Sequence, residues 1–146
     1  SQSDIEFNAN LSIRSGITTR EIHEILIRSA NDLISEECPN YQYVAARLLL
    51  YSLRKDVWGD SEPPRLMEHI GKLVSLGIYD KLILDSYSES EIHKIGKFVK
   101  HERDNLLTYS GLQQLVDKYL IKNRKSGEIY ETPQFSFMLI AMTLFS

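Results

Sequence analysis

The stretch Cys38–Pro64, CPNYQYVAARLLLYSLRKDVWGDSEPP, decides the fold of this chain. A helix is favoured near its start, because Pro39 lacks the backbone N–H that the first turn of a helix leaves unpaired. Apolar side chains then recur at helical spacing, namely Tyr41, Val44, Ala45, Leu48, Leu49, Leu50, Tyr51, Leu53 and Trp58. Gly59 and the dipeptide Pro63-Pro64 end the pattern. We therefore predict a central helix whose wide apolar surface is covered by neighbours on several sides.

Amphipathic runs with helix-start signals flank the central helix. Thr18 with Glu21, and Ser88 with Glu91, have the three-residue spacing of a capping box. A first short helix is expected to carry the apolar side chains Ile5, Leu11 and Ile13. The last helix is predicted to start at Pro133 and is apolar all round, which is typical of a core helix.

The periodicity of the sequence changes after a helix that we predict from Tyr109 to Leu120. Leu120–Lys122 and Glu128–Tyr130 are short strand-like runs, and the turn between them ends in Gly127. We therefore predict a mainly α fold, a bundle of about seven helices with one small β-hairpin near residues 119–131.

The composition is that of an ordinary globular domain, with 146 residues of which 42% are hydrophobic and 25% charged. The net charge of −3 gives no electrostatic reason to expect nucleic acid or an acidic membrane surface as a partner. A single cysteine, Cys38, cannot form an internal disulfide, which fits a reducing cytoplasmic setting. The polar start SQSDIEFN is unlike a signal peptide, and no apolar run reaches the ~20 residues of a membrane span.

The residues taken alone contain no assembled active site. The histidines are not spaced as in di-iron bundles or zinc proteases, and the glycines do not follow dinucleotide or P-loop patterns. Cys38 is interpreted as an inert, half-buried thiol, since no His or Lys adjoins it in sequence. A basic stripe at helical spacing is interpreted as a solvated face rather than a phosphate site, and it consists of Lys94, Lys97, Lys100 and Arg103.

Four blocks of sequence carry a family resemblance. They are NYQYVAARLLLYSLRK (Asn40–Lys55), GDSEPP (Gly59–Pro64), KHERD (Lys100–Asp104) and SGEIYETPQF (Ser126–Phe135). In this order, and with similar gaps, the blocks resemble the N-terminal part of the large (alpha) subunit of class I ribonucleotide reductase. The resemblance covers essentially the whole chain.

The resemblance implies a division of the chain. Residues 1–55 would be the C-terminal part of an ATP-cone-like regulatory domain, and residues 56–146 an all-α helical domain that packs on a catalytic barrel. The catalytic cysteines and substrate-binding residues of the family would lie beyond Ser146, so this chain, cut from something longer, is expected to be inactive by itself and to hold no cofactor. The parent would be a homodimeric, thioredoxin- or glutaredoxin-dependent ribonucleoside-diphosphate reductase that works with a small (beta) subunit in deoxyribonucleotide synthesis.

The resemblance also implies an allosteric nucleotide site for ATP or dATP at Thr19, His23 and Lys55. A hydroxyl and an N–H at a helix start bind phosphate or ribose oxygens, and a lysine holds phosphate as a point charge. Each residue has an ordinary alternative role. Thr19 lies near a helix cap, His23 on a helix surface, and Lys55 at a helix C-terminus where its charge complements the dipole.

A competing interpretation is a non-catalytic helical module that binds a protein partner. Its contact surface would be the apolar C-terminal helix, Phe135 to Phe145. An uncovered helix of this kind also predicts self-association of the chain.

Overall fold

The computed structural model describes residues 2–10 and 16–146, and the fold in these residues is mainly α, as predicted. Their α-helices are α1 (Gln2–Asn10), α2 (Thr19–Asp32), α3 (Tyr41–Trp58), α4 (Leu66–Ser75), α5 (Leu82–Ser86), α6 (Glu89–Gly96), α7 (Tyr109–Gln114) and α8 (Pro133–Leu144). A 3-10 helix spans His101–Leu106, and a π-helical turn, Leu115–Tyr119, continues α7. Leu11 and Ile13 of the predicted first helix fall outside the described residues. No helix in the described ranges is both long and apolar enough to cross a membrane.

The predicted central helix is α3. It ends at Trp58, and Gly59 follows with φ of +71°, a left-handed conformation that glycine adopts without strain. Its buried side chains are Ala45, Ala46, Leu50 and Leu53. Tyr43, Val44 and Tyr51 are exposed, so the expectation of cover on several sides is wrong and the helix buries one face.

Both predicted capping boxes are confirmed. The Thr18 hydroxyl accepts a bond from the Glu21 amide at 3.2 Å, and the Glu21 carboxylate accepts one from the Thr18 amide at 2.8 Å. Ser88 and Glu91 make the same reciprocal pair at the start of α6, at 3.3 and 2.8 Å. These contacts satisfy backbone donors that a helix start leaves open, so α2 and α6 begin where the local sequence specifies.

The predicted β-hairpin near residues 119–131 is wrong. Among the described residues this segment contains one isolated antiparallel bridge, between Lys122 and Ile129, and no strand. The Tyr130 amide donates to the Ile121 carbonyl at 3.0 Å, but the Ile121 amide donates to the Glu131 carboxylate at 2.9 Å. A β-ladder would need both the amide and the carbonyl of Ile121 to bond with the opposite backbone. Here the Ile121 amide bonds with the Glu131 side chain instead.

The chain divides into two compact units. The first contains Ser1–Leu53 with Asp104–Tyr119, and the second contains Arg54–Arg103 with Leu120–Ser146. These units reflect spatial packing, whereas the division at residue 55 rests on the family resemblance. The assignment of residues 1–55 to an ATP cone and of 56–146 to a helical domain therefore stays a prediction.

One core cluster of the first unit, among the described residues, is built on short side chains. Ile5, Ala30 and Ala45 form its buried centre, and larger side chains pack around them, namely Leu26, Leu33, Tyr41, Leu48 and Tyr109. The Tyr41 hydroxyl also donates to the Asp4 carboxylate at 3.0 Å. Alanine at the centre of a helix contact permits close backbone approach, which explains how a small core can hold α1, α2 and α3 together.

The core cluster of the second unit has eight buried side chains, and α8 supplies three of them. The cluster consists of Leu66, Ile70, Leu73, Tyr79, Ile92, Phe135, Leu139 and Met142. The opposite face of α8 is exposed at Phe137, Ile140 and Leu144. The prediction that α8 is a core helix therefore holds for one face of it.

Candidate functional site

Thr19 is the first helical residue of α2 and is exposed. Its neighbour Thr18 is the capping residue, so the cap does not engage the Thr19 hydroxyl. The first turn of a fourteen-residue helix carries the positive end of the helix dipole, which favours an anion at this position. Thr19 is thus placed where a phosphate or ribose oxygen would be stabilised.

His23 lies one turn further along α2 and is half-buried. Its ring meets the ring of Tyr51 edge to face, with 5.4 Å between centroids and 84° between planes. Tyr51, on α3, keeps 51% of its surface exposed. Tyr51 was predicted only as an apolar residue of the central helix. Its contact with His23 places it next to one residue of the candidate site.

Lys55 is exposed in the last turn of α3, four residues after Tyr51. A cation at a helix C-terminus complements the helix dipole, so its placement also fits the ordinary structural role. The grouping of Thr19, His23 and Lys55 into one nucleotide site stays a prediction.

A buried polar cluster in the second unit joins His69, Tyr79 and Glu131. The Tyr79 hydroxyl donates to Glu131 Oε2 at 2.6 Å, and the other carboxylate oxygen, Oε1, accepts the Ile121 amide at 2.9 Å. His69 Nε2 lies 3.0 Å from the Tyr79 oxygen. Because the hydroxyl proton of Tyr79 points to Glu131, His69 must donate from Nε2. The carboxylate is 2% exposed and has a donor on each oxygen.

Phe135 lies at the centre of a group of aromatic rings. His69 stacks on it with 4.3 Å between centroids, and His101 meets it edge to face at 4.6 Å. Trp58 contacts both Phe135 and His101, at 6.5 and 5.1 Å. Arg54 lies over the Trp58 ring at 5.3 Å and donates to the His101 carbonyl at 2.7 Å. The rings pack α8 against the end of α3 and the start of the 3-10 helix.

Burial changes the acid–base behaviour of this cluster. The pKa of His69 is lowered to about 4, mainly by desolvation and then by the charges of Lys72 and His101. The pKa of His101 is lowered to about 4 by desolvation and by Arg54, against a smaller opposite effect of Glu102. Desolvation, with the Glu131 charge and hydrogen bond, raises the pKa of Tyr79. At neutral pH both imidazoles and the phenol are therefore uncharged.

Three buried polar atoms near these groups have no hydrogen-bond partner within the described ranges. They are Trp58 Nε1, His101 Nδ1 and Thr132 Oγ1. Thr132 caps α8 without a side-chain bond and is 0% exposed. A buried hydroxyl without a partner carries its desolvation penalty uncompensated, so Thr132 differs sharply from its neighbour Glu131.

Known proteins match the chain along its whole length. It is 44% identical over 99% of its residues to ribonucleoside-diphosphate reductase 1 subunit alpha of Escherichia coli K12, and 45% identical over 100% to that of Salmonella typhimurium. The alpha subunit of enterobacteria phage T4 is 49% identical over 94%. A family model described as the all-alpha domain of ribonucleotide reductase matches residues 105–146. The chain belongs to the ribonucleotide reductase alpha-subunit family.

The family resemblance seen in the sequence blocks is thereby confirmed. The chain spans about a fifth of its relatives, 19% of the length of the Escherichia coli and Salmonella alpha subunits. It therefore corresponds to an N-terminal part of a ribonucleotide reductase large subunit.

The block SGEIYETPQF of the ribonucleotide reductase resemblance contains the buried cluster that sequence reasoning missed. Glu131, Thr132, Pro133 and Phe135 are all buried within it. Tyr79 was read as part of a helical segment, and His69 only as a histidine without metal spacing. The sequence signal for a buried carboxylate was the position of Glu131 just before the start of the apolar helix at Pro133.

No metal centre accompanies these residues. Across residues 2–10 and 16–146, no group of three or more His, Cys, Asp or Glu side chains could hold an ion. Cys38, the single cysteine of this reductase family member, is exposed, and its amide donates to the Ser35 hydroxyl at 3.1 Å.

Proposed function

We propose that this chain is a structural and regulatory part of a ribonucleoside-diphosphate reductase alpha subunit and carries no catalytic residue. The parent enzyme would reduce ribonucleoside diphosphates to deoxyribonucleotides in the cytoplasm. The observation that carries the proposal is 44–45% identity, along the whole chain, to subunits whose names state that activity. The catalytic barrel would be supplied by the rest of the parent, which would act as a homodimer with a small (beta) subunit and thioredoxin or glutaredoxin.

A domain graft tests this proposal. The chain replaces the matching segment of the Escherichia coli alpha subunit, and the reduction of a ribonucleoside diphosphate is measured with the beta subunit present. We expect the graft to retain activity, because the chain is 44% identical to the segment that it replaces. A graft that folds and dimerises but reduces no substrate would contradict the proposal. The chain by itself should be inactive in the same assay.

The regulatory half of the proposal assigns ATP and dATP to Thr19, His23 and Lys55. Support comes from the exposed helix start at Thr19, from the His23–Tyr51 ring pair and from an exposed cation at Lys55. In the graft, Thr19→Ala with Lys55→Ala should abolish the response of activity to dATP and leave the unregulated rate unchanged. An unaltered dATP response would reject this site and leave the structural role intact.

A second candidate function is that of a helical interaction module. It is favoured by the exposed face of α8, where Phe137, Ile140 and Leu144 follow one another at helical spacing. Analytical ultracentrifugation over a concentration series tests it. We expect self-association of the chain and its loss in Ile140→Glu, with Lys97→Glu as an exposed control. A monomer at all concentrations would contradict the predicted self-association.

A further inference from the structure

Glu131 is a buried carboxylate at the base of an exposed loop, and neither the family assignment nor the nucleotide site explains it. We define the turn segment as residues 121–129, which lie within the hairpin predicted near residues 119–131. All its side chains are exposed or half-buried, whereas Glu131 at its base is buried. The question is what keeps this segment in one conformation.

The tip of the turn segment is organised locally. The Asn123 side-chain oxygen accepts the amides of Lys125 and Ser126 at 2.9 and 3.2 Å, and the Gly127 amide donates to the Asn123 carbonyl at 2.7 Å. Gly127 has φ of +76°, which the tight turn requires. These bonds join residues within the tip, so they do not attach it to the helical core.

One attachment of the turn segment to the core runs through Glu131. One carboxylate oxygen holds the Ile121 amide at the start of the turn segment, and the other holds the Tyr79 hydroxyl, which belongs to the core. Tyr79 is fixed in turn, because its amide donates to the Leu73 carbonyl at the end of α4 and its oxygen lies 3.0 Å from His69 Nε2. The carboxylate thus joins a loop amide to a tyrosine 52 residues away in sequence.

The carboxylate of Glu131 holds the turn segment strongly only in the closed conformation, in which both of its oxygens have donors. A buried carboxylate is stable when both oxygens have donors, and hydrogen bonds to a charged group are stronger than neutral ones. When Ile121 moves away, the carboxylate loses one of its two donors inside the core. The lost hydrogen bond therefore raises the free energy of opening the turn segment, while the packing of α4, α6 and α8 is unchanged.

We propose that Glu131 is a conformational clamp that sets how often the turn segment opens as a unit while the helical core of the second unit stays folded. Opening releases the Ile121 amide and frees the already exposed backbone around Arg124 and Lys125 to adopt the extended conformation that a protease binds. The clamp is a property of this chain's own fold and does not depend on the proposed function.

Hydrogen exchange by mass spectrometry or NMR on the chain tests the clamp. In Glu131→Gln, the exchange rate of the Ile121 amide should rise at least tenfold, while the amides of Ile70 and Ile92 change by less than threefold. Trypsin should cleave after Arg124 or Lys125 correspondingly faster. The tenfold figure is on the order of one hydrogen bond to a charged group.

A second variant covers the case in which Glu131→Gln fails to fold. Tyr79→Phe keeps the buried ring and removes the hydroxyl that donates to Glu131 and accepts from His69, and it should raise the Ile121 exchange rate less than Glu131→Gln does. Leu139→Ala is the control, because it weakens the core without touching the clamp and should raise all core amides together. The proposal would be overturned if the exchange rates of Ile121, Ile70 and Ile92 rose by the same factor in both clamp variants. It would also be overturned if the exchange rate of Ile121 did not change.

Discussion

The start of α2 and the cluster around Glu131 both collect polar and ionisable side chains, but in opposite surroundings. Thr19 is exposed, and His23 is half-buried against a ring that is itself half in solvent. Glu131 is buried, and each of its oxygens accepts a bond from the protein. The first place offers a hydroxyl and a helix dipole to solvent, whereas the second has its donors and acceptors engaged with one another.

This difference separates an exposed helix start, where we predict a ligand, from a buried cluster that stabilises the fold. A ligand competes only with water at an exposed helix start, but in the buried cluster it would have to displace formed hydrogen bonds and ring contacts. Perturbed pKa values are frequent at functional sites, yet His69 and His101 owe theirs mainly to burial. We conclude that the lowered pKa values of His69 and His101 result from their packing in the core.

The largest expected effect is the loss of Phe135. Phe135→Ala removes a ring that is 1% exposed and contacts Trp58, His69 and His101, so the free energy of unfolding should fall by about 3–5 kcal/mol. Urea denaturation measures it. Phe137→Ala, on the exposed face of the same helix, should cost about 1 kcal/mol or less. Similar losses in both variants would contradict the two-faced packing of α8.

The next effect is a loss of stability in acid. His69, with a folded pKa of about 4, takes up a proton in the unfolded chain near its ordinary pKa of about 6.5. Between these values the unfolded state binds more protons, so the free energy of unfolding decreases as pH falls from about 6.5 to about 4. The expected loss is on the order of 3 kcal/mol. His101 acts in the same direction and contributes less, because it is partly exposed.

Urea denaturation at pH 7 and pH 4.5 measures this dependence. In His69→Gln the difference between the two pH values should shrink to the part contributed by the other groups, since the substituted side chain does not titrate. An undiminished difference in His69→Gln would show that the acid sensitivity of the chain arises elsewhere and that the buried cluster is not its source.

A smaller effect is expected at the exposed surface. If ATP binds this chain in calorimetric titration, Lys55→Ala should weaken binding about tenfold, or roughly 1.4 kcal/mol, because one charged phosphate contact is removed. Lys97→Ala, at an exposed lysine outside the candidate site, should leave the affinity unchanged. Equal weakening by both variants would indicate non-specific charge attraction. An absence of heat in the unmodified chain would show that Thr19, His23 and Lys55 do not suffice for binding.

The smallest effect should be a gain in stability at Thr132. Thr132→Val replaces a fully buried hydroxyl that has no partner in the described part of the chain, and should raise the free energy of unfolding by up to about 1 kcal/mol. Thr143→Val is the matched control, because the Thr143 hydroxyl donates to the Leu139 carbonyl at 2.8 Å. Thermal denaturation should move the two variants in opposite directions. A destabilised Thr132→Val would mean that its hydroxyl is satisfied by bound water.

Local sequence predicted the elements whose causes are local. Thr18 with Glu21 and Ser88 with Glu91 specify where α2 and α6 begin, because both partners of each bond lie within four residues. Gly59 ends α3 and Pro133 opens α8 for equally short-range reasons. The family was also recognisable from sequence, since its four blocks keep their order along the chain.

The predicted hairpin shows where such reasoning fails. The run around Gly127 has the composition of a strand–turn–strand, and its turn does form. The ladder does not follow, because the Ile121 amide donates to the side chain of Glu131, the residue directly after the predicted second strand. Strand pairing depends on the competing partners that each backbone group finds, and a sequence pattern does not contain them.

The sequence by itself determined the helices, their caps and the family, because spacing, capping and chain order are written in neighbouring residues. Only the tertiary structure decided which faces of α3 and α8 are buried and which polar groups meet. Tyr79 and Glu131 are 52 residues apart, and Arg54 and His101 are 47 apart. Contacts at such separations depend on how the helices pack, because desolvation strengthens a hydrogen bond or shifts a pKa only after the surrounding side chains have excluded water.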